Sequence, residues 1–325
     1  MADSYSPSVA VVLAVFNEAT AIDECLASLA AQDYDGEWEV LVADGGSTDG
    51  TVDRIGEWSE QLRVRIFDNP ERLQSKGLNL LAGVATAEIL VRADAHTTYA
   101  PDYITRSVSA LLSTGARAVG GPMRPEGSTA FGRAVARAYQ SKIGIGPAPF
   151  HHSEENVEAD TVYLGTMARQ TFLDQGGLRT LPSGVAEDAD FYYRLRQRGG
   201  RVMVVPAIRS RYRPRQTPGA LWRQFYRYGL GKADMLYING EFPSWRPLAP
   251  LALLMGLLAS VVLGLATGWW LPLLVLVGLW LLVLIVGARG APIGVAAIAI
   301  MHIGYGLGLV RGLLRFPDAV REAVS

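Results

Sequence analysis

The chain has 325 residues, half of them apolar, and its 30 basic residues nearly cancel its 31 acidic ones. That balance excludes the strongly basic footprint of a nucleic-acid binder, so no nucleic acid is expected as a partner. The single cysteine, Cys25, excludes an internal disulfide and reads as a packing residue in a reducing compartment. The opening MADSYSPSVA lacks a basic stretch followed by an apolar run, which predicts no signal peptide.

Residues 9–15 (VAVVLAV) form a continuous apolar run of strand length, the kind that suits a parallel sheet covered on both faces. Ile22, Leu26 and Leu29 then recur at helical spacing. Residues 39–43 (EVLVA) predict a second strand, followed by a helix from Thr51 through Val52 and Ile55. Residues 64–67 predict a third strand, 76–85 a helix, and 88–91 with Arg92 a fourth strand. This alternation implies right-handed βαβ units and an open, mostly parallel α/β sheet with flanking helices. Ligands of such sheets bind beyond the carboxyl ends of the strands.

Those ends are polar here. Phe16-Asn17-Glu18 follows the first strand, the loop 44–51 (DGGSTDGT) the second, and Ala93-Asp94-Ala95-His96 the fourth. Each alone has a plain local reading: the glycines supply positive φ, and Ser47, Asp49 or Asn17 can cap a helix. Acids at three neighbouring strand ends together point to a ligand site. Further on, Glu187 and Asp188 follow a Pro182-Ser183-Gly184 loop at a predicted loop-to-helix junction. By themselves they would only favour a helix N-terminus electrostatically.

The composition changes near Trp245. Residues 248–266 and 269–288 carry no charge, and 291–310 has only His302 as a titratable group. Each block is about the roughly 20 residues that a membrane-crossing helix needs. The short connectors Thr267-Gly268 and Arg289-Gly290 predict a tight hairpin, with Trp269 and Trp270 at a bilayer interface. Arg209, Arg211, Arg213, Arg215, Arg223, Arg227, Lys232 and Arg246 precede the first block and Arg289 follows the second. Both places are therefore expected in the cytoplasm, with the 267–270 turn outside. The third block conflicts with this rule: a full crossing would carry Arg311, Arg315 and Arg321 outside. A tilted, re-entrant or contact helix is the alternative. Gly304, Gly308 and Gly312 have the spacing that lets helices approach closely. A homo-oligomer through the membrane helices is a separate expectation. The expected organisation is a catalytic α/β domain over 1–215, an amphipathic interfacial segment over 216–245, and a membrane domain of two to three helices over 246–325.

The set Ala14-Val15-Phe16-Asn17-Glu18, the loop 44–51, Lys76-Gly77-Leu78-Asn79, Asp94 and Glu187-Asp188 resembles the family-2 inverting glycosyltransferases of the GT-A fold. The pieces run in the family's order over about the first 230 residues. The wording Arg92-Ala93-Asp94-Ala95-His96 is closest to the succinoglycan-biosynthesis glucosyltransferase subgroup. The resemblance implies a Rossmann-like GT-A domain and roles for individual positions. Asp44 would accept from the nucleobase, usually uracil. Phe16, Asn17, Glu18 and Lys76 would line the nucleotide pocket. Asp94 matches the second acid of the family's Asp-x-Asp metal motif, while the first position is Arg92. His96 is a further candidate ligand for Mn²⁺ or Mg²⁺. Asp188 is the expected general base, with Glu187 next and Asp190 third. Gln224, Arg227 and Tyr228 resemble the Gln-x-x-Arg-Trp acceptor motif, with Tyr in place of Trp. An interfacial amphipathic helix is the plainer reading of the same segment. Gly165-Thr166 matches an acceptor-pocket segment, and His151 and His152 read as loop residues.

The chemistry explains these residue types. A nucleoside diphosphate gains charge as it leaves, which a divalent metal stabilises, and an inverting attack needs a base opposite it. The expected donor is a UDP-hexose and the expected acceptor a polyprenyl-diphosphate-linked glycan. A cytoplasmic-membrane location, multi-pass with the catalytic domain inside, follows. The alternatives are a polyprenyl-phosphate sugar synthase, which needs no strong base, and a non-catalytic membrane-tethered sugar-nucleotide-binding protein.

Overall fold

A computed structural model describes residues 6–242, 245–246 and 248–315. Residues 1–5 and Arg321 lie outside them. The chain divides into two compact units, an α/β unit of Met1–Arg124, Pro149–Thr180 and Glu187–Tyr212, and a helical unit of Pro125–Ala148, Leu181–Ala186 and Arg213–Ser325. Residues 125–148 and 181–186, inside the 1–215 segment of the sequence reading, thus fold with the helices.

In the α/β unit, β1 (Val9–Val15), β2 (Trp38–Asp44), β3 (Val64–Asp68) and β4 (Ile89–Ala93) run parallel in the order β3-β2-β1-β4. They alternate with α1 (Ile22–Ala30), α2 (Thr51–Glu57) and α3 (Gln74–Val84). The chain continues through β5 (Thr97–Tyr99), α4 (Tyr103–Thr114) and β6 (Ala118–Gly121), and after α5 (Ala130–Tyr139) of the helical unit through α6 (Pro149–His152), β7 (Val157–Glu158), β8 (Tyr163–Ala168), α7 (Arg169–Asp174), α8 (Glu187–Gln197), β9 (Val202–Val204) and β10 (Ser210–Tyr212). The sheet extends from β4 through β8, β6, β9 and β7, and β8 is antiparallel to both its neighbours. The mostly parallel open sheet is the one that the strand–helix alternation predicts.

The period-2 alternation of a strand divides β1 between two cores. Val9, Val11 and Leu13 pack with Ile22, Leu26, Leu29, Tyr103 and Ile104. Ala10 and Val12 pack on the other side with Leu41, Leu78, Leu81 and Phe191. Each such Leu or Ile contributes roughly 1.5–3 kcal/mol by leaving water. Cys25 lies fully buried in the first core, as expected of a packing residue. In the parallel register Val15 pairs with Asp44 and Leu13 with Ala93. Phe16, Gly45 and Asp94 therefore leave the sheet at one edge.

The helical unit holds α5, α9 (Pro218–Asn239), α10 (Leu248–Thr267), α11 (Leu271–Gly287) and α12 (Pro292–Leu314). Thr217 caps α9 by accepting from the Ala220 amide, Pro218 starts its first turn, and Gly240 at φ 76° ends it. α10 and α12 are long and apolar enough to cross a membrane, while α11 has 17 residues. They differ in surroundings: only 11% of the apolar stretch of α10 is buried, against 44% of that of α12. The glycines at 304, 308 and 312 face α9 of the same chain.

Candidate active site

The loops after β1 and β2 are stitched together by side chains at the sheet edge. Asn17, at φ 56°, accepts from the Thr48 amide at 2.9 Å, and its own amide donates to Ser47 Oγ at 2.9 Å. The Glu18 amide donates to Thr51 Oγ1 at 2.8 Å, and the Ala19 amide to Asp49 at 3.1 Å. The Thr51 hydroxyl also holds the Asp49 carboxyl below its ordinary range. Asn17 and Asp49 thus act as more than helix caps: they fix one loop against the other.

Asp44 is buried and accepts from the Gly46 amide (2.9 Å), the Ser47 amide (3.0 Å) and Ser47 Oγ (2.6 Å). A carboxylate has about four acceptor sites, so a ligand donor can still be bound. Gly45 lets the loop lie on Phe16, since a Cβ there would stand 3.2 Å from Phe16 Cδ2. Phe16 is 43% exposed, and the Arg72 guanidinium lies 5.1 Å from its ring centroid. That cation–π contact is worth about 0.5–1 kcal/mol at such a site. Arg72 escapes the sequence reading, although it follows the third strand end as the other candidates follow theirs. Lys76 pairs with Glu71 at 3.3 Å on the exposed side of α3. Its neighbour Gly77 lets α3 sit on the sheet: a Cβ there would lie 3.0 Å from Ala43 Cβ and 2.9 Å from Asn69 Nδ2.

Asp94 is held at both ends. Its amide donates to Tyr99 Oη at 2.8 Å, and Gln74 Nε2 donates to its carboxylate at 3.3 Å. Tyr99 is another residue that sequence reasoning misses; it acts through the β5 turn that returns it under Asp94. His96 Nδ1 stands 3.9 Å from Glu18 Oε1, and its ring packs on Tyr212 at 5.6 Å.

Arg92 occupies the position of the absent first acid. Its Nη2 is 4.0 Å from Asp94 Oδ1, and its Nη1 is 3.8 Å from Asp188 Oδ2. Its Nε is buried without a hydrogen-bond partner among the described residues. Asp188 and Glu187 open α8, whose first turn is acidic and whose last turn is basic, complementary to the helix dipole. Asp188 keeps its side chain 41% exposed. Glu187 is buried, and burial, aided by the Asp188 charge, pushes its carboxyl up to about 7. Asp190, the third candidate, is fully buried and paired with Arg194 at 2.8 Å and Arg179 at 3.5 Å, so it braces the fold. A cavity of about 30 Å³ next to Arg92 and Asp188 is lined by Gly165, Phe191 and Tyr192. A Cβ on Gly165 would lie 1.8 Å from Tyr192 Oη, which explains the glycine.

Gln224, Arg227 and Tyr228 lie on α9. Gln224 Nε2 donates to Tyr228 Oη at 3.0 Å, and Arg227 donates to the Gly184 carbonyl at 3.3 Å and the Ser183 carbonyl at 3.5 Å. His151 and His152 close the short α6, with their rings tilted at 50° and centroids 5.8 Å apart.

Among the described residues no three His, Cys, Asp or Glu side chains converge on one point. Magnesium commonly takes one or two carboxylates and completes its shell with substrate phosphates and water. Asp94, at the mouth of the site, fits that role, with His96 the second candidate, but a protein-only cage is absent among these residues.

The description "Glycosyl transferase family 2" matches residues 10–168, and "Glycosyl transferase family group 2" matches residues 93–305. The succinoglycan biosynthesis protein ExoA of Rhizobium meliloti (strain 1021) is 32% identical over 324 residues, 96% of each chain. A dolichyl N-acetyl-alpha-D-glucosaminyl phosphate 3-beta-D-2,3-diacetamido-2,3-dideoxy-beta-D-glucuronosyltransferase of Methanococcus voltae is 24% identical, covering 79% of this chain and 82% of that protein. Among solved structures, the mannosyltransferase PcManGT from Pyrobaculum calidifontis, in complex with GDP-Man and Mn²⁺, superposes with a TM-score of 0.69 at 22% identity, covering 96% of this chain and 89% of its own.

Proposed function

The chain belongs to glycosyl transferase family 2, and we propose that it is an inverting hexosyltransferase carrying a sugar from a UDP-hexose to a lipid-linked glycan at the cytoplasmic face of a membrane. Nucleotide-sugar-dependent transfer in polysaccharide biosynthesis is the activity of this family's relatives; the donor, the acceptor and the stereochemistry are this reading's own. The observation that carries it is the Arg92 bridge, whose two ends face an exposed acid on the acceptor side, Asp188, and the acid of the metal motif, Asp94.

In this reading the nucleotide lies over the loops after β1 and β2. Asp44 accepts from the base through its remaining lone pair, Phe16 and Arg72 flank it, and Asn17, Glu18 and Lys76 border the pocket. A divalent cation taken up with the donor would supply positive charge to the leaving diphosphate, with Asp94, and His96 beside it, as the chain's ligands. Asp188 accepts the proton of the acceptor hydroxyl while that oxygen attacks the anomeric carbon. The bond from that carbon to the diphosphate oxygen breaks, and its electron pair leaves with the diphosphate. Burial disfavours the charged form of Glu187, whereas Asp188 keeps its side chain exposed, so Asp188 is the carboxylate placed to act as base. Gln224, Arg227 and Tyr228 serve the acceptor side, the aromatic ring against sugar and the guanidinium near phosphate.

The M. voltae relative is named for a lipid-phosphate-linked acceptor, which supports a lipid-linked acceptor here. The apolar exposed faces of α10 and α11 support a membrane anchor, and the basic residues before α10 support a cytoplasmic catalytic unit.

The test is nucleotide release from a panel of sugar nucleotides, with Mn²⁺, Mg²⁺ or EDTA, in membranes holding native lipids. Release that selects one donor, needs metal and vanishes in Asp94→Ala and Asp188→Asn is expected. An anomeric proton of inverted configuration in the product completes the assignment; a retained configuration would defeat it, as would donor binding with no turnover on any acceptor.

A further inference from the structure

We infer that only α10 and α11 cross the bilayer, and that α12, despite its apolar composition, lies beside α9 on the cytoplasmic surface; this rests on the membrane-anchored reading above. α12 meets α9 along a line of glycines. Gly304 faces Trp222 and Phe225, Gly308 faces Tyr226, and Gly312 faces Leu230 and Ala233. Residue numbers rise together along both helices, so the two run side by side in the same direction. The approach is close: a Cβ on Gly308 would lie 2.0 Å from the Tyr226 carbonyl oxygen. Tyr237 Oη donates to the Leu313 carbonyl at 2.8 Å and extends the pairing to the end of α12.

α9 cannot itself be a span. It carries Arg223, Arg227, Lys232 and Asp234 through its middle, charges that hydrocarbon excludes. Two of them bind irregular backbone: Asp234 accepts from the Ser183 amide at 2.7 Å, and Arg227 donates to the Ser183 and Gly184 carbonyls. Irregular backbone is tolerated at membrane depth only inside protein or against water. A helix aligned with α9 along its length shares its depth.

The other neighbours of α12 agree. It packs on α5, which carries Arg133 and Arg137. His302 Nε2 lies 3.1 Å from the carbonyl oxygen of Gly144, in the loop after α5. α12 also touches the hairpin: Gly306 lies against Pro250 and Leu254 near the start of α10, Ile298 against Gly287 at the end of α11, and Trp280 Nε1, midway along α11, donates to His302 Nδ1 at 3.3 Å. Nearly half of the apolar stretch of α12 is thus spent on helix packing, a use of apolar surface that hydropathy alone reads as a span. This placement also removes the charge conflict, because Arg289, Arg311 and Arg315 then share the cytoplasmic side.

The test places single cysteines at the exposed Thr267, Arg289 and Leu314 and labels them with a membrane-impermeant maleimide in sealed vesicles of both orientations. Wild type, whose one cysteine is fully buried, is the blank. Thr267→Cys is expected to label only from the external side, and Arg289→Cys and Leu314→Cys only from the cytoplasmic side. External labelling at Leu314→Cys with cytoplasmic labelling at Arg289→Cys would overturn the inference and leave the anchor standing. Cytoplasmic labelling at Thr267→Cys, with release of the protein by alkaline carbonate, would overturn the anchored reading and the inference together.

Discussion

Arg92 Nη1 stands 3.8 Å from Asp188 Oδ2 while its Nη2 faces Asp94 at 4.0 Å, so one nearly buried guanidinium aligns two acids that come from distant parts of the chain. Arg92→Met removes both partners at once. We expect kcat to fall about 100-fold, the scale of a misplacement near 1 Å. Arg92→Lys is expected to fall between the two, because an ammonium lacks the planar fork. Steady-state nucleotide release beside circular dichroism checks this; full activity in Arg92→Met would refute the positioning role.

Asp188→Asn is expected to lower turnover by about 10²–10⁴-fold with donor binding preserved, the range for loss of a general base. Glu187→Gln should cost far less. Donor binding by calorimetry and single-turnover product formation separate the two steps, and equal losses in both variants would contradict the assignment.

Glu187 also predicts a pH dependence of stability. Its carboxyl rises from an ordinary 4.5 to about 7, through burial first and the Asp188 charge second. Between those values the unfolded chain is ionised there while the fold keeps the proton. Stability therefore falls as pH rises from about 4.5 to about 7. Glu187→Gln should flatten this slope and gain on the order of 2 kcal/mol over wild type above pH 7. Thermal melts of both proteins at pH 5 and pH 8 read the difference.

Metal affinity should depend on nucleotide. With no cluster of three acidic, His or Cys side chains among the described residues, Mn²⁺ is expected to bind the protein alone weakly. A nucleoside diphosphate should tighten it at least tenfold by adding phosphate ligands. Manganese electron paramagnetic resonance with and without UDP measures this, and Asp94→Ala should abolish the gain.

Gly77→Ala probes the seat of α3. The added methyl would lie 3.0 Å from Ala43 Cβ and 2.9 Å from Asn69 Nδ2, a contact that the packed sheet can relieve only by moving. A loss of about 1–3 kcal/mol is expected. A denaturant midpoint equal to that of wild type would show that the helix adjusts without cost.

The sequence by itself determined what depends on local order. The apolar runs at 9–15, 39–43 and 88–91, with helical spacing between them, foretold the parallel sheet, because strand and helix periods are read from neighbours along the chain. The acids at the strand ends followed from that sheet. Gly304, Gly308 and Gly312 announced a close helix contact, but not with which helix. Tertiary structure alone decided the rest. Arg92 looked like a gap in a motif, and only folding brought Asp188 from 96 positions away to face it. Arg72 has no local signature, because its partner Phe16 reaches it through the sheet, and Tyr99 is brought under Asp94 by a turn whose direction its residue types do not announce. α12 has the composition of a span, since hydropathy registers apolar surface and is blind to whether lipid or another helix covers it. The packing of α9 against those glycines supplied that answer.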